Sequence, residues 1–304
     1  MTVHANILET IGNTPLVRLS SIFPNDNVYA KLEYFNPASS IKDRVALNMI
    51  EVAEKDGIIK PGATIIEPTS GNTGLGLAMV CARKGYKLII VMPDSMSIER
   101  QKGMKFLGAE LVLTDGALGM QGAIDKALEL ESAIDGAFVP QQFKNPSNSD
   151  AHYKTTGPEI WKDLGEDIDV FVSAVGTGGT LTGTGKFLKE KKAELKVVAV
   201  EPATSAVISG ESAGKHTIQG IGAGFIPDVL DTDIIDDVVK ISDDESYEMS
   251  KRLARNEGIL CGISSGAAVA SVEKIVKQSI YNGKTIVVIL PDTAERYMST
   301  KLFD

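Results

Sequence analysis

The sequence predicts an α/β protein of two three-layer αβα domains with mostly parallel sheets. Three observations carry that reading. Short β-branched runs alternate with longer amphipathic stretches, the strand candidates are apolar along their length, and glycine-rich loops stand at strand-to-helix turns. A strand apolar on both faces needs helices over both faces, and the alternation supplies them.

In chain order, VYAKLE (28–33) reads as the first strand and Ser40–Lys55 as the first helix, opened by a box-like cap. ATIIE (63–67) runs into the polar loop TSGNTG and helix Asn72–Lys84. KLIIVM (87–92), helix Ile98–Leu107, AELVLT (109–114), helix Met120–Ala133 and GAFV (136–139) continue the alternation. After FKNPSNSD (143–150), a polar, loop-like break, come helix Tyr153–Leu164, strand DVFVSAV (169–175), helix Thr180–Lys192 and strand KVVAVE (196–201). Helices Asp243–Glu257 and Ser265–Ser279 and strand KTIVVIL (284–290) complete the set. No linker rich in Pro or Ser divides the chain, so the boundary is expected at the polar break. Residues 40–145 then form a smaller domain, and 1–39 with 146–304 a larger one.

Composition excludes several classes of function. With 304 residues, 43% of them apolar and 23% charged, the chain can bury a sizeable core and is not disordered. A net charge of −9 argues against nucleic-acid binding. The longest apolar runs fall far short of the ~20 residues of a membrane span. The first residues lack a basic segment followed by an apolar one, so no secretory signal is expected. Cys81 and Cys261 cannot build a disulfide framework, and His4, His152 and His216 are too scattered for a zinc site, so no metal is expected. The expectation is a soluble, acidic, cytoplasmic enzyme.

Two loops and one lysine carry chemistry. Gly176-Thr177-Gly178-Gly179-Thr180 follows a strand and enters a helix. Glycines admit close backbone approach, and a helix N-terminus offers free N–H groups with partial positive charge, so the loop suits a phosphate. The dinucleotide fingerprint fails because Leu181 stands where its last glycine belongs. The nucleotide P-loop fails because Phe187 follows Gly185-Lys186 and Thr180 occupies the place of its first glycine. A compact monophosphate fits better. TSGNTG (69–74) suits a carboxylate, or else Ser70 or Asn72 is an ordinary cap for the next helix. Ser40 as N-cap with Asp43 three residues on puts Lys42 in a first helical turn, where the dipole favours the neutral amine that Schiff-base chemistry requires. A phosphate cradle plus such a lysine suggests pyridoxal 5′-phosphate, which also needs a partner for its ring nitrogen. The start of CGISSGA (261–267) offers a serine for that role, or only a helix cap. The cysteines read as core, Cys81 on an apolar helix face and Cys261 among apolar neighbours with no nearby histidine.

Taken together, the chain resembles the fold-type II pyridoxal-phosphate enzymes of the cysteine synthase–cystathionine β-synthase family, and within them the cysteine synthases. The resemblance runs through IGNTPLVRL (11–19), PASSIKDR (37–44), EPTSGNTG (67–74), VGTGGTLTG (175–183), QGIGAGFIP (219–227), GISSGAA (262–268) and LPDTAERYMSTKLF (290–303). It implies the tryptophan synthase β-subunit-like fold. It implies β-replacement of the acetoxy group of O-acetyl-L-serine by sulfide, through an aminoacrylate, to give L-cysteine and acetate. By the same resemblance Lys42 is the Schiff-base lysine and the base at Cα. Asn72 hydrogen-bonds the cofactor's ring hydroxyl, Gly176 to Thr180 hold the phosphate, and Ser264 faces the ring nitrogen. Thr69, Ser70, Gly71, Asn72 and Thr73, with Gln142, resemble the substrate-carboxylate site, and Gly220 lies by the substrate amino group. A neutral serine at the ring nitrogen makes a weaker electron sink, which suits β-elimination better than transamination.

The resemblance further implies a homodimer with one site per subunit in a cleft between its domains. It also raises the C-terminal tail of a serine acetyltransferase as a partner. A mobile part is expected roughly within 85–133, because those elements follow the carboxylate loop and carry no cofactor group. Departures are small: Ile41 replaces a common Val, and Thr293-Ala294 vary the residues after LPD. A cystathionine β-synthase-like enzyme is expected to end the GIG loop in Trp-Pro, whereas GAGFIP stands here. A lanthionine or diaminopropionate synthase, or a sulfide-releasing cysteine lyase, shares every cofactor motif. A non-catalytic acetyltransferase partner is expected to lack Lys42.

Overall fold

The structure is a computed structural model and describes residues 3–96 and 98–304. In chain order its main elements are β1 (Leu16–Arg18), β2 (Asn27–Leu32), α1 (Lys42–Lys55), β3 (Thr64–Pro68), α2 (Asn72–Lys84), β4 (Lys87–Pro93), α3 (Ile98–Phe106), β5 (Glu110–Thr114) and α4 (Gly119–Ala133). Then follow α5 (Ser147–Lys154), α6 (Thr156–Leu164), β6 (Val170–Ala174), α7 (Gly179–Lys191), β7 (Lys196–Pro202), β8 (Asp237–Ile241), α8 (Asp243–Arg252), α9 (Ile263–Ile275) and β9 (Thr285–Leu290). The mixed α/β architecture with parallel sheets is the expected one. No helix among the described residues is long and apolar enough to cross a membrane.

The chain divides into two compact units, Met1–Ile11 with Asn36–Asn148, and Gly12–Phe35 with Ser149–Asp304. The sequence pattern places the first residues in the larger part. Instead Leu8 and Ile11 pack on the apolar core of the smaller unit, which holds that segment there.

In the smaller unit, β3, β4 and β5 form a three-stranded parallel sheet. Side chains alternate across the strands, so each face carries its own apolar set. Ile65, Leu88, Ile90 and Met92 join Val45, Met49, Leu77 and Val80 of α1 and α2. Ile66, Ile89 and Val91 meet Ala123 and Ala127 of α4 on the other face. The expected strand at 136–139 shrinks to one parallel bridge, Ile65 to Phe138. Pro140 has no N–H to continue the ladder, and Gln141 turns the chain away with φ +57.

The larger unit holds a six-stranded sheet in the order β1-β2-β9-β6-β7-β8, parallel except for the β1–β2 pair. Val172, Val200, Ile241 and Val288 pack with Ala267, Val269 and Val272 of α9. On α7, Gly185 stands close to Val197, where an added methyl would lie 3.2 Å from its side chain. The expected helix 153–164 is broken at Thr155, and α5 begins earlier, inside the stretch read as loop, where Asn145 Oδ1 accepts the Ser147 N–H at 2.9 Å. The expected helix 243–257 ends as α8 at Arg252 and closes through a π turn at Gly258, φ +69. Two glycine-rich loops leave the C-terminal ends of parallel strands, β3 to α2 and β6 to α7, where open α/β sheets bind ligands.

Candidate functional site

In the smaller unit the structure assembles Lys42, loop 69–73 and Gln142 from three parts of the chain. Lys42 is the first residue of α1, but the cap differs from the one the sequence predicts. Ser40 Oγ accepts the Lys42 N–H at 3.2 Å, while Asp43 reaches back past Ser40 to the Ala38 N–H at 2.6 Å. Ser40 Oγ also donates to Asp43 Oδ1 at 3.4 Å, and Ser39 between Ala38 and Ser40 turns the chain at φ +58. Helix α2 crosses close to this point because Gly76 has no side chain; a methyl there would lie 3.0 Å from the Lys42 carbonyl oxygen.

Helix α2 starts at Asn72 behind Gly71, with no side-chain cap. Neither Ser70 nor Asn72 is the N-cap residue, a place taken by Gly71, whose carbonyl accepts the Gly74 N–H at 3.1 Å. Thr69 Oγ1 instead accepts the Gly71 N–H at 3.2 Å, and Arg100 donates to the Ser70 carbonyl at 3.3 Å. Thr73 donates its hydroxyl to Gln142 Oε1 at 2.6 Å. Thr69, Ser70, Gly71, Thr73 and Gln142, expected around a carboxylate, therefore share one corner at the N-terminal end of α2, whose dipole favours an anion.

In the larger unit the structure brings together loop 176–180, Gly220 and Ser264. Gly178 is the N-cap of α7 at φ +85, again with no side-chain cap. A methyl on Gly176 would collide with the Gly220 carbonyl oxygen, and one on Gly178 would lie 2.7 Å from Leu230 Cβ. The backbone is held as a cradle that only glycine permits, with α7 aimed N-terminus first at its mouth. Gly220, at φ +94, stands beside Ser264; a methyl on it would be 3.7 Å from the Ser264 hydroxyl. Ser264 is buried in the first turn of α9, whose N-cap is Gly262, so the serine is not the cap. A compact monophosphate fits these residues: glycines at 176, 178 and 179 let backbone N–H groups face a ligand at the N-terminus of α7, and no carboxylate stands within 176–180.

Two buried residues beside the site escape the sequence reading, His152 with no signal and Glu67 with only the trace of a lone carboxylate closing an apolar strand. His152 places Nε2 3.2 Å from Thr180 Oγ1 and Nδ1 2.9 Å from Thr156 Oγ1, tying the loop to α5 and α6. Glu67, on β3, accepts the N–H groups of Gln141 and Gln142. Both cysteines are buried, and burial pushes each thiol up to about 12, so neither offers a thiolate.

A family model described as pyridoxal-phosphate dependent enzyme matches residues 7–292. A cysteine synthase of Staphylococcus aureus is 53% identical over 302 residues, 98% of this chain and 96% of that protein. A crystal structure of cysteine synthase from Entamoeba histolytica is similar with a TM-score of 0.96 at 47% identity, over 99% of this chain and 91% of that one. A hydrogen sulfide-producing enzyme from Fusobacterium nucleatum gives 0.93 at 48% identity, over 97% of this chain and 100% of that one.

Proposed function

The chain belongs to the pyridoxal-phosphate dependent enzyme family, and from that premise we propose that it makes L-cysteine and acetate from O-acetyl-L-serine and sulfide. The observation that carries this reading is 53% identity to a cysteine synthase over nearly the full length of both proteins. Pyridoxal 5′-phosphate, when bound, supplies an electron sink for the bonds broken at the amino-acid substrate. The backbone of Gly176, Thr177, Gly178, Gly179 and Thr180 would hold its phosphate, Asn72 would hydrogen-bond its ring hydroxyl, and Ser264 would give its ring nitrogen a neutral partner. A hydroxyl leaves no proton fixed there, so the sink stays weak, which disfavours transamination and suits β-replacement.

Lys42 would supply the amine that anchors the cofactor, and its Nζ would serve as the base for the Cα proton. Thr69, Ser70, Gly71, Thr73 and Gln142 bind the carboxylate, and Gly220 adjoins the amino group. Acetate leaves Cβ with the electron pair of the C–O bond, hydrosulfide brings the pair for the new C–S bond, and the protonated Lys42 returns its proton to Cα.

The test is a nucleophile screen with O-acetylserine and sulfide, homocysteine, cysteine or ammonia, followed by identification of the products. Cysteine formed fastest with sulfide is expected. Cystathionine formed faster, or sulfide released from cysteine alone as the main reaction, would overturn the reading.

The same reading makes the protein a cytoplasmic homodimer. Two free, buried thiols suit a reducing compartment. The exposed Met120, Ile124 and Leu128, one helical turn apart on α4, suit burial against a second copy. Light scattering at micromolar concentration should give the dimer mass, and a monomer would count against it. The C-terminal tail of a serine acetyltransferase is a candidate partner at the substrate site, tested by competition between a tail peptide and O-acetylserine.

A further inference from the structure

Glu67 lies near the C-terminal end of β3, two residues before Thr69, and its side chain is 1% exposed. Its two oxygens divide between the two amides of one turn. Oε2 accepts the Gln141 N–H at 3.1 Å and Oε1 the Gln142 N–H at 3.4 Å. Gln141 is held at φ +57, in the left-handed region that a residue with a Cβ adopts only at a cost. Gln142 follows, buried, with its Oε1 on the Thr73 hydroxyl at 2.6 Å and its carbonyl on Asn148 Nδ2 at 2.7 Å.

A carboxylate is expensive in this position. Burial pushes its carboxyl up from 4.5 to about 7, and the groups that hold it are neutral amides. What it satisfies is the turn that delivers Gln142. We propose that Glu67 is a positioning residue for the amino-acid carboxylate site: it fixes the 141–142 turn, aims Gln142 at Thr73, and so sets the affinity for O-acetylserine without touching it. The proposal rests on the assignment of Thr73 and Gln142 to that site made above.

Replacing Glu67 by glutamine tests this directly. One end of the new amide is an NH2 group, a donor facing a backbone donor, so one of the two bonds must fail. The strained Gln141 then relaxes and Gln142 drifts from Thr73. The experiment is a double-mutant cycle on the holoenzyme at pH 8, where Glu67 is ionised and both its oxygens accept, with Glu67→Gln, Gln142→Ala and the pair, reading KM and kcat. Glu67→Gln should raise KM for O-acetylserine about tenfold, with kcat within about twofold of wild type and KM for sulfide unmoved. In the Gln142→Ala background the same change should add less than about twofold, because there is no side chain left to aim.

A wild-type KM for Glu67→Gln, or a full tenfold rise in both backgrounds, overturns the proposal. A wild-type KM for Gln142→Ala alone removes Gln142 from the carboxylate site. That result overturns the proposal through its premise and is told apart from the others by which variant shows it. If Glu67→Gln does not fold, Glu67→Asp keeps both acceptors but withdraws them by one methylene. It then takes the same place in the cycle, where the same KM changes support or overturn the proposal.

Discussion

Gly178→Ala separates the cost of the phosphate cradle from the cost of the fold. Gly178 sits at φ +85, and moving an L-residue into that region costs about 1–2 kcal/mol. The new methyl would lie 2.7 Å from Leu230 Cβ and 3.0 Å from Leu230 Cα. Carbon pairs settle at roughly 3.5–4.0 Å, and neither Leu230 atom can move by a rotamer change, so the backbone must yield. Overpacking of this kind adds about 1–3 kcal/mol. A protein with roughly 5–15 kcal/mol of stability still folds under that load, with a lower Tm. Without cofactor the loop escapes by abandoning the cradle; the cofactor must restore it, so the strain is charged to binding. Even 2 kcal/mol corresponds to about thirtyfold in affinity. The assay is titration of the apoprotein with pyridoxal phosphate, read by visible absorbance. Gly185→Ala on the same helix is the control: its methyl would meet the movable ends of Ile234 and Val197 at 3.1 and 3.2 Å, and it should lower Tm with cofactor affinity within about twofold. Wild-type cofactor affinity in Gly178→Ala, alongside a lowered Tm, would refute the cradle.

Four further outcomes are expected. Lys42→Ala should abolish turnover while the protein still takes up the cofactor through the phosphate loop, measured by equilibrium dialysis; a variant that keeps most wild-type turnover would remove Lys42 from the chemistry. His152→Ala should cut the link to Thr180 Oγ1 and weaken cofactor affinity by about five- to tenfold, seen in the same absorbance titration, with unchanged affinity counting against it. Glu67, raised from 4.5 to about 7 by burial, keeps its proton in the folded state after the unfolded chain has released it, so its contribution to stability is complete below pH 4.5 and is lost as pH rises through 7. Between pH 4.5 and 8, denaturant melts should show wild type losing about 3 kcal/mol relative to Glu67→Gln; parallel curves would contradict the burial argument. Substrate binding should slow amide exchange within 85–133, since Arg100 of α3 holds the Ser70 carbonyl, and Ser70→Ala should blunt the effect; equal protection in both proteins would contradict it.

The parts of the fold and site that sequence exposes are those with a local cause. Strands 64–68, 87–93 and 285–290 are apolar on both faces, so their parallel, doubly covered setting is visible in composition. The loop at 176–180 is visible because close approach to the Gly220 carbonyl and φ +85 at Gly178 both demand glycine. What stayed hidden has a tertiary cause. Strand β8, Asp237–Ile241, is a charged edge strand that pairs only with β7, and its short alternation is no signal on its own. The early start of α5 depends on Asn145 Oδ1 accepting the Ser147 N–H, a cap that the polar run hides among other polar residues. His152 meets Thr180 across 28 positions of sequence, with no spacing rule to announce it. Glu67 did leave a trace, a lone carboxylate closing an apolar strand, but its partners lie more than 70 residues away.

Borohydride reduction of the holoenzyme, followed by peptide mapping for the pyridoxyl group, tests the central claim most directly. The proposed function takes Lys42, the first residue of α1, as the anchoring amine, so the label is expected on the peptide containing Lys42 and to vanish in Lys42→Ala. A label on any other lysine, or a holoenzyme that binds the cofactor yet yields no labelled lysine, would contradict the account.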